Sequence, residues 1–411
     1  MKQLFFLILL FTFSFFGHGQ QPIKFYEGSQ EEIFDEAAKT GKSILIFYGQ
    51  PKEFSFRLFL DQLVAEQEFA KQLYQKYLLV SITVDHVEMS QKLSKLTLLK
   101  PYTVSLISTD GHLLYQMRGP FSIESFKKSI ETIGNDGQNF HRWSGNAEVN
   151  QDELPIDDLF RYAKALYKAG LDYHFLESKI FNLADDSFLQ SAKGIESILL
   201  FSHDLTDDRI RYLLDSWQQI EKADADWEFI NRRLEALTTD AFIQLKIANP
   251  KSNFEDSLVR FYERIEYADL IYGVTRYKMR YFGLVEKNNE VYFQSMVELL
   301  SGGSNLVTIP QRYEWLNEIA DACENQEILQ SAIQSAHEMV NEDNRVEYQA
   351  ILTKLFVKAG YFPDADHAMN ILEELNQKQR VYSAAEVEIM RKQLEESVLK
   401  YKKQAKNKSG K

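Results

Sequence analysis

Residues 134–155, GNDGQNFHRWSGNAEVNQDELP, are rich in Gly, Asn and Gln and fit neither a strand nor a helix period, so they divide the chain into two regions that must fold differently. The linker closes a first domain over residues 23–133. After it, apolar residues recur at helical spacing almost continuously, which predicts an all-α domain over residues 156–399. His141, Arg142 and Trp143 give the linker a means of docking, because a tryptophan in a loop usually buries its ring. Six lysines between Lys400 and Lys411 read as a basic, disordered, solvated tail over 400–411.

The amino-terminal residues set the compartment. Met1-Lys2-Gln3 is a short positive start, Leu4 to Phe16 is apolar, and Gly17-His18-Gly19 precedes a cut at Gln20, so residues 1–19 read as a cleaved signal peptide. The apolar run is shorter than the roughly 20 residues a bilayer requires, so stable membrane insertion is not expected. The Phe-rich run ending in Gly-Gln-Gln resembles exported proteins of Gram-negative bacteria of the Bacteroidetes type, which implies a periplasmic or secreted protein. A formal charge of −13 repels phosphate backbones and argues against a nucleic-acid partner. At 45% apolar and 13% aromatic residues, the chain has ample material for a packed interior.

Three stretches of the first region carry a family pattern: GKSILIFYG at Gly41–Gly49, LYQKYLLVSITVD at Leu73–Asp85, and STDGHLLYQMRGPFSIESFKKSI at Ser108–Ile130. They resemble, in order, the first core strand, the second core strand, and the terminal hairpin and helix of the thioredoxin family. The resemblance implies that residues 23–133 form an α/β domain, a central mixed sheet flanked by helices. It also places the family's two redox cysteines at Lys52 and Ser55, where the chain reads Lys-Glu-Phe-Ser. Dithiol exchange needs a thiolate and a resolving thiol, and neither residue supplies one. Ile46 stands where redox-active members carry a buried aspartate. The peptide-binding cis-proline of the family maps to Pro101 or, measured back from Asp110-Gly111, to Tyr102, which makes both tentative binding residues.

In the second region, LPIDDLFRYAKALYKAG places Leu159, Ala163 and Leu166 on one helix face, with Pro155 at its start and Gly170 past its end. YQAILTKLFVKAG followed by YFPDADHAMNILEELN repeats this ending at Gly360 and continues with Ala365, Met369 and Leu372 at helical period. The pair resembles a divergent tetratricopeptide repeat, which implies a helical-repeat array, although no regular 34-residue period runs through the region. Leu316, Ile319, Ala320 and Cys323 share a face, so the only cysteine is expected to be a buried small hydrophobe.

Leu258–Leu284 interleaves Phe261, Tyr262, Tyr267, Tyr272, Tyr277, Tyr281 and Phe282 with Arg260, Arg264, Arg276 and Arg280. Leu258, Phe261, Ile265, Ala268 and Tyr272 follow helical spacing, so most of the segment reads as core with a solvated rim. The four arginines are the candidate anchors of a peptide-binding face. The eight histidines show no metal-binding spacing and no nucleophile elbow is present, so neither metal nor cofactor is expected. These features imply a non-catalytic module that binds a protein or peptide partner in the cell envelope; the alternative is an accessory to, or divergent member of, the thiol-disulfide oxidoreductases. Amino-terminal sequencing of the periplasmic protein is expected to begin at Gln20 or Gln21, and a retained Met1 would remove the export assignment.

Overall fold

The computed structural model describes residues 24–50, 53–82, 102–131, 154–169, 171–219, 225–267, 269–302 and 306–409, with side chains in the last helix described to Lys403. The chain forms two compact units, Met1–Leu183 and Ala184–Lys411.

The first unit is built on a four-stranded mixed sheet in the order β2-β1-β3-β4, with β1 Ser43–Tyr48, β2 Tyr77–Ile82, β3 Thr103–Ile107 and β4 Leu113–Arg118. β1 runs parallel to β2 and antiparallel to β3, and β3 and β4 form an antiparallel hairpin. A parallel pair needs a long crossover. Helices α2 (Phe54–Ala65) and α3 (Gln67–Lys76) supply it, after α1 (Gln30–Thr40) has led into β1. The sequence SILIFY is apolar without alternation because β1 is buried on both faces. Leu45 and Phe47 face a core with Phe56, Phe59, Leu63, Tyr102, Val104 and Phe126. Ile44 and Ile46 face a smaller cluster with Ile33, Ala37, Val80, Ile82 and Ile107.

Local chemistry fixes the ends of α1. Ser29 and Glu32 form a reciprocal capping box, and Gly41 closes the helix at φ 67°, a left-handed conformation that glycine adopts without a Cβ clash. The Tyr26 amide donates to the Leu79 carbonyl at 2.8 Å, so the chain before α1 lies along the β2 edge. A helix, α4, covers 123–131. The Gly119–Pro120 peptide is cis.

Helix α5 (Ile156–Ala169) belongs to this unit, together with α6 (Glu177–Leu183), so the boundary between units falls later than the linker that marks it in the sequence. Leu159, Ala163 and Leu166 are buried as their spacing predicts. The Gln116 amide of β4 donates to the Ala169 carbonyl at 3.2 Å, which ties α5 to the sheet.

The second unit is helical: α7 (Asp186–Leu189), α8 (Ala192–Phe201), α9 (Asp208–Asp215), α10 (Trp227–Ala248), α11 (Glu255–Arg264), α12 (Leu270–Arg280), a π-helical turn (Tyr281–Glu286), α13 (Asn289–Ser301), α14 (Ile309–Ala322), α15 (Gln326–Glu342), α16 (Val346–Ala359), α17 (Phe362–Gln379) and α18 (Ala384–Ser409). Helices α8 and α10, α10 and α12, and α14 and α16 lie side by side and parallel. Glu196 of α8 accepts from the Asp226 amide at the start of α10, and Arg233 reaches forward along α8 to the Leu199 and Ser202 carbonyls. Arg276 of α12 faces Trp315 of α14, and Lys354 of α16 contacts Asn317 and Asp321 of α14. These row helices begin at 192, 227, 270, 309 and 346, in steps of 35, 43, 39 and 37 residues. The return helices are antiparallel to them, as Arg312 with Glu342 and Lys278 with Glu255 show.

Gly360 ends α16 at φ 81°, and Ala365, Met369 and Leu372 are buried, as the repeat-like ending predicts. The segment expected to be a disordered basic tail is corrected: α18 continues as helix through it to Ser409. Good helix formers between Ala384 and Lys408 and the absence of Gly or Pro allow it to continue. Leu258 is fully buried and Arg260 is exposed two residues away. Leu258→Ala is expected to cost about 2–5 kcal/mol, and Arg260→Ala less than about 0.5 kcal/mol, measured by chemical unfolding of the full chain.

Candidate functional site

Lys52 and Pro101 lie outside the described residues. Ser55 is the second residue of α2 and 8% exposed, and its hydroxyl donates to the Glu53 carboxylate. Phe54 and Phe56 beside it are buried, and a Cβ on Gly49 would stand 2.6 Å from the Phe56 ring, so the end of β1 rests directly on that ring. Ile46 is buried among aliphatic side chains, where a carboxylate would lose its hydration without compensation.

Tyr102, expected at a peptide groove, is instead a core residue. Its ring is fully buried, with centroids 5.3 Å from Phe56, 5.5 Å from Phe59 and 5.1 Å from Phe121. Its hydroxyl accepts from the Phe121 amide at 3.3 Å and donates to the Phe121 carbonyl at 3.5 Å. A Cβ on Gly119 would come within 2.5 Å of the ring, so the glycine permits the turn after β4 to lie on the tyrosine. Burial pushes the phenol far above its ordinary range. A side chain enclosed in this way cannot meet a partner.

The arginine-aromatic segment is divided between roles. Arg260 is exposed on α11. Arg264 pairs with Asp215 at 3.1 Å and so joins α11 to α9. Arg280 pairs with Asp240 at 2.7 Å, joining α12 to α10. Arg276 holds its Nε 3.8 Å from a Glu235 carboxylate oxygen, and its guanidinium lies 5.7 Å from the Trp315 ring centroid, so one side chain touches α10 and α14. Three of the four arginines therefore fasten helices of successive hairpins. Spacing along the chain does not reveal this, because Asp215, Asp240 and Glu235 all lie on elements that precede the segment.

Around Arg276 and Glu235 the interior is unusually polar. Tyr262, Tyr267 and Tyr272 are buried there, with the Tyr262 and Tyr267 rings 4.6 Å apart. Burial is the first cause that raises all three phenols above their ordinary range, and the Glu235 charge adds to it. The Tyr262 hydroxyl sits beside the Thr238 and Thr239 hydroxyls. Thr239 donates to Glu235 at 3.2 Å. The carboxylate and guanidinium are both mostly buried, and the cluster holds helices at fixed spacing rather than presenting an acid or base to solvent.

At the far end of the same helices, the Lys246 ammonium lies 6.0 Å from the Tyr281 ring centroid. Leu245 and Ile247 flank that lysine, and Leu284 and Val285 follow the tyrosine; all four are exposed, Leu284 to 69%. The spacing argument for the arginines passes over these exposed apolar residues, which come from two separate elements. Cys323 is buried as expected, and burial pushes its thiol above the ordinary value. Comparison with protein-family models, curated proteins and solved structures finds no match to the chain.

Removing one member of the Arg276–Glu235 pair strands the other inside the unit. Arg276→Met is expected to destabilise by about 3 kcal/mol. The double variant Arg276→Met/Glu235→Met should lose less than the sum of the two single losses, with a coupling of about 1–3 kcal/mol. Chemical unfolding followed by tryptophan fluorescence checks this, because Trp315 borders the pair; simple additivity would remove the fastening role.

Proposed function

We propose that the protein is a non-catalytic, thioredoxin-like scaffold of the cell envelope whose helical array holds a protein or peptide partner. One observation carries the non-catalytic part: the chain has one cysteine, and it is buried in the second unit. A dithiol exchange within the chain requires two. The thioredoxin-like assignment is supported by the order of elements in the first unit, a parallel strand pair joined by helices and then an antiparallel hairpin leading to a helix. The buried Tyr102 supports placing the partner elsewhere, since the resemblance puts the family's peptide groove at Pro101 or Tyr102 and the Tyr102 ring is enclosed.

The array supports binding through its architecture and its surface. Stacked helical hairpins offer extended faces built from many short-range units. Exposed Arg260 and the apolar residues Leu245, Ile247, Leu284 and Val285 are available on it, and aromatic, apolar and arginine anchors commonly dominate interfaces. The π-helical turn that carries Leu284 is a form often found at functional sites.

Two measurements test the reading. Crosslinking in the periplasm should give a specific partner adduct whose yield falls several-fold in Arg260→Glu and in Leu284→Asp, with each variant unfolding within about 0.5 kcal/mol of the parent. A model-disulfide assay should show no turnover above background. Full adduct yield in both variants would move binding off this surface, and turnover abolished by Cys323→Ser would remove the non-catalytic assignment.

A further inference from the structure

The last two turns of α18 carry a charge unlike the rest of the chain. The protein has 47 basic and 60 acidic residues, and residues 400–411 contain six lysines and no acid, so the remaining residues carry 41 − 60 = −19. The backbone is helical from Lys400 to Ser409.

Packing aims this segment outward. Helix α18 runs antiparallel to α17, fastened where Arg391 bonds Asp366, Asn370 and Glu373 and where the Tyr401 ring lies 5.2 Å from that of Phe362. Phe362 is the first residue of α17, so residues 402–409 continue past the helix that supports them. At about 1.5 Å per residue these eight residues project roughly 12 Å. Lys400, Lys402 and Lys403 are exposed, and the apolar side chains Leu399 and Tyr401 on either side of Lys400 are 57% and 55% exposed.

The acids of α18 do not cancel this charge. Glu386, Glu388, Glu395 and Glu396 all precede it. Lys406 is ten residues beyond Glu396, about 15 Å along the axis, which exceeds a Debye length of about 8 Å at physiological ionic strength. The projecting turns therefore present net positive charge even though the body is strongly acidic.

We propose that the projecting end of α18 is a peripheral docking site for an anionic phospholipid surface. Clustered lysines are attracted to anionic headgroups, and each contributes roughly five-fold to the partition at low salt. Exposed Leu399 favours lipid over a purely polar polyanion, because an apolar side chain gains from the headgroup boundary. No helix among the described residues is long and apolar enough to cross a membrane, so the contact is peripheral. It does not depend on the partner-binding role of the array.

Co-sedimentation of the full mature chain with vesicles tests the proposal. With vesicles of phosphatidylcholine containing 30% phosphatidylglycerol, binding is expected at 50 mM NaCl, at least ten-fold above pure phosphatidylcholine, and should be lost at 500 mM. Replacing all six lysines from Lys400 to Lys411 by Gln should remove it, while replacing them by Arg should retain it, with unfolding unchanged in both. Equal binding to the two vesicle types, or binding retained in the Gln variant, would overturn the proposal. So would sedimentation without vesicles that disappears in the Gln variant, since the lysines would then be meeting the acidic body of a second copy.

Discussion

The second unit depends on contacts of each helix with its hairpin partner and with the helices of the neighbouring hairpins. An amphipathic hairpin has one apolar face and cannot bury it alone, so the array exists only as a series of neighbours. The interfaces combine that burial with directed polar contacts: Arg233 to the carbonyls that end α8, Arg276 between Glu235 and Trp315, and Lys354 to Asn317 and Asp321. The polar contacts are directional where apolar packing is not, so they set which turn of one helix lies beside which turn of the next.

The first unit reaches its stability by a different route. Its sheet is buried on both faces, and one of them is dominated by aromatic rings, with Phe47, Phe59, Tyr102, Phe121 and Phe126 within 5.0–6.2 Å of one another in successive pairs. Glycines at positions 49 and 119 let the backbone lie directly on two of the rings in this region. Polar groups are few. Ser55 is engaged by Glu53 between the buried Phe54 and Phe56, and Ile46 lies among aliphatic side chains on the other face of the sheet.

Local patterns were legible from the residues alone. The uninterrupted apolar run of β1, the helical face of Leu159, Ala163 and Leu166, the turn glycine at 360 and the buried Cys323 all follow from periodicity or from the conformational freedom of glycine. Two features depended on chain topology and were hidden. Helix α5 has the same amphipathic pattern as the row helices, and its packing on β4, where Gln116 bonds the Ala169 carbonyl, assigns it to the sheet. Arg264, Arg276 and Arg280 have the composition of an interface, but their acidic partners are on other elements and no local rule pairs them. The unequal steps between row helices explain why no fixed period appears in the sequence.

Those unequal steps also bear on how the array can change over time. In a solenoid of near-identical units, a copied or deleted unit meets the same surface that it left, and length can vary freely. Here each interface has its own chemistry: a guanidinium on backbone carbonyls, a guanidinium between a carboxylate and an indole, and an ammonium on an amide and a carboxylate. A duplicated α12–α13 hairpin would bring Arg276 against a second α12 instead of Trp315, and its own neighbour would find no Glu235. The hairpins are therefore not interchangeable.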